Sequence, residues 1–424
     1  MSHITDSRLN HNVNGSARVD SVPSRPSPAR ARVPAPSGRR VTTHRPPVEV
    51  LYDEVMQPTA SYRERSVRPR GTGYLPYRYS IVGLVTIGSQ IALPELEFFR
   101  EPTLGKDLDI EIRIGSVGKG APRSRARLLR FEGPDGVRYE EHLGRLGANF
   151  AIDLGDRIHV TLSRLLGRSP HVAYTNIIEA LLRFSLAARG RMLLHSACVE
   201  IAGRGVMLSA RTDTGKTGTV LRLLREQDAQ FLSDDMTIIS PDGTAQSFPK
   251  PLTISSHTLR AVDPGDFNRL AWMRLGLKSY VYSKAGRGVG LAMGEQNLPI
   301  MTANAITQIL VPPPKFDADR LVACSMVNGT RVSDLFIIER GAPVLVDLTA
   351  DEAMEELVEN TDDAYGFPPF RYLAPVLVIG GRNYDELRAR EREILRGALE
   401  SMRIRRMASD SFDWADRIPA LITT

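Results

Sequence analysis

The sequence predicts an α/β protein in four stretches: an Arg/Pro/Ser-rich tail over residues 1–70, a small β-rich domain over 75–165, an α/β core over 170–345 and a mostly helical segment over 346–424. Three observations carry this reading. From residue 77, "YRYSIVGLVTIGSQIALPELEFF" and then "DLDIEIRIGSV" are apolar and β-branched, the second with the strict alternation of a half-buried strand. Apolar "RGVMLSAR" runs through a glycine-containing turn into "TGTVLRLLRE", the order strand, turn, helix. Further on, "AQFLSDDMTIISPDG" ends an apolar run on two adjacent carboxylates, Asp234 and Asp235.

The tail has few large apolar residues and many prolines, so it cannot bury enough surface to offset chain entropy and is expected to be disordered. Its repeated prolines oppose the amphipathic helix of an organelle transit peptide. It holds twelve arginines and no lysine against six carboxylates, and so carries the whole formal charge of +6. The rest of the chain is balanced, which removes the electrostatic case for nucleic acid as a partner. With 42% hydrophobic and 25% charged residues the chain has the composition of a soluble globular protein. No apolar run approaches the roughly 18 residues of a membrane span and no secretory core opens the chain, so no membrane partner and a cytoplasmic location are expected. Cys198 and Cys324 lack metal or disulfide spacing and are expected to be buried thiols.

In the β-rich domain, short strands continue through "RARLLRFEGPDGVRYEEHLG", with a Pro-Asp-Gly turn, to "NFAIDLGDRIHVTLS". The apolar spacing of "TNIIEALLRFSLAARG" is helical, with Gly190 as C-cap. "MLLHSACVEI" reads as one strand containing His195, beside the strand that leads into the glycine turn. A lone histidine in an apolar strand is more often a packed residue than a functional one. Towards the C-terminus "AITQILVPPP" and "RVSDLFIIER" read as strands, whereas "ADEAMEELVENT" and "YDELRAREREILRGALESMRIRRM" read as helices.

The turn itself is "ARTDTGKT", against the phosphate-loop pattern GxxxxGK[ST]. Ala210 stands at the first glycine, followed by Arg211, Thr212, Asp213 and Thr214, while Gly215, Lys216 and Thr217 are in place and Gly218 follows. Backbone N–H groups of such a loop and of the helix start surround a β-phosphate, Lys216 reaches β/γ oxygens and the Thr217 hydroxyl can ligate Mg²⁺. Alanine can replace the first glycine where φ is negative. The carboxylates lie 18 residues beyond Lys216 at a strand end, the arrangement that holds the metal of a bound nucleotide.

Over "LLHSACVEIAGRGVMLSARTDTGKTGTVLRLLREQDAQFLSDDMTII" the chain resembles the HPr kinase/phosphorylase family and its HprK-like serine kinase relatives, which share a PEP-carboxykinase-type P-loop fold. The match spans about 50 residues: a strand with a His–small pair, a glycine-containing turn, the loop, a helix and a strand ending in "DD". The upstream "YSIVGLVTIGSQIALPEL" also resembles the N-terminal β region of HprK-like proteins from biosynthetic gene clusters. The resemblance implies an ATP- and Mg²⁺-dependent kinase acting on a hydroxyl of a peptide, small protein or small molecule. It implies that Lys216 binds phosphates, Thr217 binds Mg²⁺, His195 assists, Asp234 is the general base and Asp235 the metal partner, with exchange of the last two left open. GTP or pyrophosphate as donor, and a homo-oligomer, also stay open. Ala210 and the acidic Asp213 depart from the family loop, and the C-terminal signature for dephosphorylation has no match. A catalytically silent nucleotide-binding scaffold with a degenerate loop is the rival reading. Lys284 and Arg287, in glycine-rich "YSKAGRGVGLAMG", are candidates for cations closing over phosphates.

Overall fold

Alternation in the first third is realised as a sheet whose inward residues are fully buried: Tyr79, Ile81, Val85, Ile87, Ile110 and Ile112 against partly exposed Arg78, Ser80, Thr86, Glu111 and Arg113. The computed structural model describes residues 68–69, 73–118, 127–130, 136–211, 214–253, 299–313, 315–365 and 369–422. The expected tail, apart from 68–69, and the glycine-rich stretch with Lys284 and Arg287 lie outside the described residues. Arg68–Pro69 (β1), Tyr77–Ile81 (β2), Val85–Ser89 (β3), Ile110–Ser116 (β4), Arg127–Arg130 (β5), Gly136–Glu140 (β6), Phe150–Asp153 (β7) and Ile158–Leu162 (β8) form an eight-stranded mixed sheet. Its order is β2-β3-β4-β8-β7-β6-β5, with β1 on β4.

A helical segment follows, Pro170–Ala173, a π-helical stretch Tyr174–Ile178 and then Glu179–Ala188 (α1). Gly190 ends it at φ +77°, as the C-cap reading requires. This segment is apolar on nearly every side because it is covered on every side. Its Val172, Ile177, Leu181, Phe184 and Leu186 belong to one apolar cluster with the first sheet and with Leu193, Met236 and Ile238 beyond it. Each such fully buried side chain contributes about 1.5–3 kcal/mol relative to exposure.

The second sheet is nine-stranded and mixed. It contains Met192–Leu194 (β9), Ala197–Ile201 (β10), Arg204–Ser209 (β11), Gln230–Ser233 (β12), Thr237–Ile239 (β13) and Thr244–Gln246 (β14). Leu252–Thr253 (β15) pairs apart from it with Lys315–Phe316 (β16). Gly329–Arg340 (β17), Val344–Asp347 (β18) and Arg403–Ser409 (β21) complete the sheet, while Val378–Ile379 (β19) and Arg382–Asn383 (β20) pair with each other. The main path is β12-β10-β11-β17-β14-β13-β9, and β21 lies along the C-terminal part of β17 with β18 outside it. β11, β17 and β21 run parallel, and their apolar runs are buried on both faces. Val206, Leu208, Phe336 and Ile338 face Lys216–Glu226 (α2) and Trp414–Ile422 (α6). Met207, Leu335 and Ile337 face Ala350–Ala364 (α4) and Tyr384–Leu399 (α5).

Three expectations change. The "AITQIL" of "AITQILVPPP" is not a strand but the end of helix Ile300–Leu310 (α3), with Met301, Ala305 and Gln308 buried at helical spacing. A short apolar run has no period long enough to separate the two. "RIRRM" ends no helix; it is β21, separated from α5 by a turn at 400–402. Cys198 is buried as expected, but Cys324 is partly exposed. The segment from 346 on is mostly helical and also supplies a strand, β21, to the second sheet. Among the described residues no helix is long and apolar enough to cross a membrane.

Candidate active site

β11 delivers the chain to Ala210, which is 1% exposed and does not have positive φ, so its methyl group fits without backbone strain. Thr212 and Asp213 lie outside the described residues. Thr214 is buried, Arg211 is exposed and pairs with Glu359 at 3.3 Å, and Gly218 lies in the first turn of α2. Gly215 adopts φ +126°, open only to glycine, and a Cβ there would lie 3.1 Å from Trp414 Cζ3 and 3.3 Å from Phe412 Cδ1. The turn is therefore packed against residues nearly 200 positions away in sequence. Arg340, at the end of β17, donates from Nε to the Thr214 carbonyl at 3.0 Å and holds the turn from the other side.

α2 begins at Lys216. The Lys216 Nζ is enclosed and has no hydrogen-bond partner among the described residues. Burial lowers its pKa, against the opposing pull of Asp235 and Asp234. One position on, Thr217 Oγ1 donates to Asp234 Oδ2 at 2.7 Å. The other carboxylate oxygen, Asp234 Oδ1, is buried without a hydrogen-bond partner among the described residues. Burial raises the Asp234 pKa in spite of Lys216 and Thr217.

Asp235 turns the other way. Its side chain is 51% exposed, Oδ2 accepts from Lys250 Nζ at 2.6 Å and Oδ1 lies 3.5 Å from His195 Nε2. Partial burial works to raise its pKa, but the Lys250 ammonium and His195 outweigh this and hold it well below the usual carboxylate range. Lys250 also donates to the buried Glu179 Oε2 at 2.7 Å, and its charge lies 5.8 Å from the Tyr174 ring centre. The two aspartates, adjacent at the end of β12, thus stand in opposite environments.

His195 is not inside a strand. The expected single strand breaks at His195–Ser196 into β9, which pairs with β13, and β10, which pairs with β11 and β12. At this change of neighbour the histidine ring faces Asp235. Its Nδ1 lies 3.0 Å from the Asn360 carbonyl, to which it can only donate, and its Nε2 faces Asp235 Oδ1, so the ring pairs with both oxygens only when both nitrogens carry hydrogen. Thr237 Oγ1, donating to the Ser196 carbonyl at 3.0 Å, ties this turn to the strand beyond the aspartates.

Lys216, Thr217, Asp234, Asp235 and His195 are thus brought together, with Ala210, Thr214, Gly215 and Gly218 in the turn beneath them. Sequence reasoning missed Lys250, Glu179, Asn360, Arg340, Phe412 and Trp414. The only local hint was Lys250 set between prolines in "FPKPL". Among the described residues no group of three or more His, Cys, Asp or Glu could hold a metal ion. A cation here would have to complete its shell with ligand oxygens and water, the habit of Mg²⁺. No protein-family model matches the chain, and no curated protein matches it.

Proposed function

We propose that this chain is an ATP- and Mg²⁺-dependent phosphotransferase of the HprK-like class, built on a P-loop kinase core, that passes a γ-phosphoryl group to a hydroxyl. One observation carries the reading: among the described residues an enclosed ammonium, Lys216 Nζ at the start of α2, and a buried carboxylate oxygen, Asp234 Oδ1 beyond the end of β12, both lack hydrogen-bond partners. Buried polar atoms in folded proteins are mostly paired, so a cation and an anion that are left open and feel each other's charge suit a ligand that brings oxygens and a metal.

Lys216 would meet β/γ-phosphate oxygens, together with N–H groups of the turn. Thr217 and Asp234 would hold Mg²⁺, which supplies neutralisation of charge on the transferring phosphate. The Thr217–Asp234 hydrogen bond supports exchanging the two aspartate roles, with Asp234 on the metal side and Asp235 on the acceptor side. Asp235 is half exposed and supported by His195 and Lys250. It would accept the proton of the acceptor hydroxyl as that oxygen bonds to the γ-phosphorus and the bond from phosphorus to the β-bridging oxygen breaks, releasing ADP. The acceptor is a serine of a peptide or small protein, or a small-molecule hydroxyl, and the Arg-rich tail suits recruitment of an acidic one.

Calorimetry and turnover assays with three variants test this. Lys216→Ala should abolish ATP binding. Asp234→Asn should remove the Mg²⁺ dependence of that binding. Asp235→Asn should bind Mg²⁺–ATP and lose turnover by about 10²–10⁴-fold. Wild type that binds ATP but never turns it over would leave the silent nucleotide-binding module instead, and wild type that binds nothing at millimolar ATP would end both readings.

A further inference from the structure

We propose that Phe412 and Arg340 form the platform on which the purine base of the donor nucleotide stacks, an inference that rests on the phosphate-site reading above. β11, β17 and β21 are parallel neighbours, so their C-terminal ends, at Ser209, Arg340 and Ser409, open on one edge of the sheet. Ligands of open α/β sheets sit in the crevice outside such ends. The phosphate turn leaves β11 there. The aspartates lie on the β12 side of it, which leaves the β17 and β21 side for the rest of a nucleotide.

Two side chains occupy that side. The Arg340 guanidinium lies 4.6 Å from the centre of the Phe412 ring, and both residues are exposed, Phe412 by 42%. Both also border the turn, Arg340 through its hydrogen bond to the Thr214 carbonyl and Phe412 with Cδ1 3.3 Å from where a Cβ on Gly215 would lie. A planar cation on an aromatic ring at the rim of a phosphate site has the chemistry that binds a base by stacking.

The backbone adds a second, independent observation. Phe412 has φ +59°, the left-handed region that a bulky residue adopts only under constraint. The loop enforces it: Ser409 Oγ donates to Asp413 Oδ1 at 2.5 Å, the Ser411 N–H donates to Ser409 Oγ at 3.2 Å, and the Phe412 ring meets Trp414 edge-on at 5.4 Å. Glycine would hold this backbone more easily, so the ring is what the position supplies. Packing the turn needs the ring edge; the exposed remainder is open to a ligand.

The experiment compares Mg²⁺–ATP with Mg²⁺–tripolyphosphate, which keeps the phosphates and lacks the base. Binding of each is measured by calorimetry to wild type, Phe412→Gly and Phe412→Tyr, with circular dichroism to verify the fold. Phe412→Gly should weaken ATP about tenfold or more beyond any loss it causes for tripolyphosphate, and Phe412→Tyr should retain ATP affinity. Equal loss for both ligands would show that the ring serves only the turn, and no loss for either would show that the base lies elsewhere; both overturn the platform while leaving the phosphate site standing. Wild type that binds neither ligand would overturn the phosphate-site reading and the platform with it.

Discussion

Gly215 and Ala210 occupy the same turn under opposite constraints. At Gly215, φ of +126° strains any side chain and a Cβ would press on Trp414 at 3.1 Å, so Gly215→Ala should cost about 1–3 kcal/mol in urea unfolding and weaken ATP binding as well. At Ala210 the reverse is expected. The methyl is buried and unstrained, so Ala210→Gly, although it restores the usual pattern, should destabilise by about 0.4–1 kcal/mol without raising ATP affinity. Glu95 gives a pH prediction. Burial works to raise its pKa, yet the hydrogen bond from His171 and the charge of Lys315 bring the folded carboxyl down to about 2 from the usual 4.5. A depressed carboxyl stabilises the fold above its unfolded pKa, and that stabilisation is lost as pH falls through the folded value. Glu95→Gln should therefore flatten the fall of the urea midpoint as pH is lowered from 4.5 towards 2.

Between elements, the most demanding contact joins α1 to α5. Arg183 donates to both Glu391 oxygens at 2.6 and 2.8 Å, each side chain being 1% exposed, and the Arg183 charge lies 4.4 Å from the Tyr365 ring centre. Glu391→Ala would leave a buried guanidinium without its main partner, at about 3–5 kcal/mol, which chemical denaturation would register. A loss below 1 kcal/mol would mean that Asp362, 3.5 Å from the guanidinium, compensates. Nothing local announced this pair: Glu391 sits in a run of alternating charges that has the pattern of a solvated helix face. His195 is the same kind of case. Its strand-like surroundings were legible, but the break at 195–196 arises because β9 and β10 find different partners. Pairing is non-local and leaves no period in the sequence.

At the scale of the molecule, the division at 345 separates neighbours within one sheet. β21 pairs with β17 over seven residues, and α5 and α6 cover opposite faces of the strands that carry the turn. A chain ending at 345 should fail to fold or to bind ATP, as circular dichroism and calorimetry would show; a folded, binding fragment would prove the C-terminal segment dispensable. The sequence by itself determined the α/β class, the alternation of the first sheet, the turn from Ala210 to Thr217 and the carboxylates beyond it. Each of these is written in residues close along the chain, where propensity and periodicity act. Only the tertiary structure decided that Asp234 meets Thr217 while Asp235 meets His195 and Lys250, and that Arg340, Phe412 and Trp414 close round the turn. Those contacts join residues from 15 to about 200 positions apart, and which of them form depends on how sheets and helices pack to bury their apolar faces.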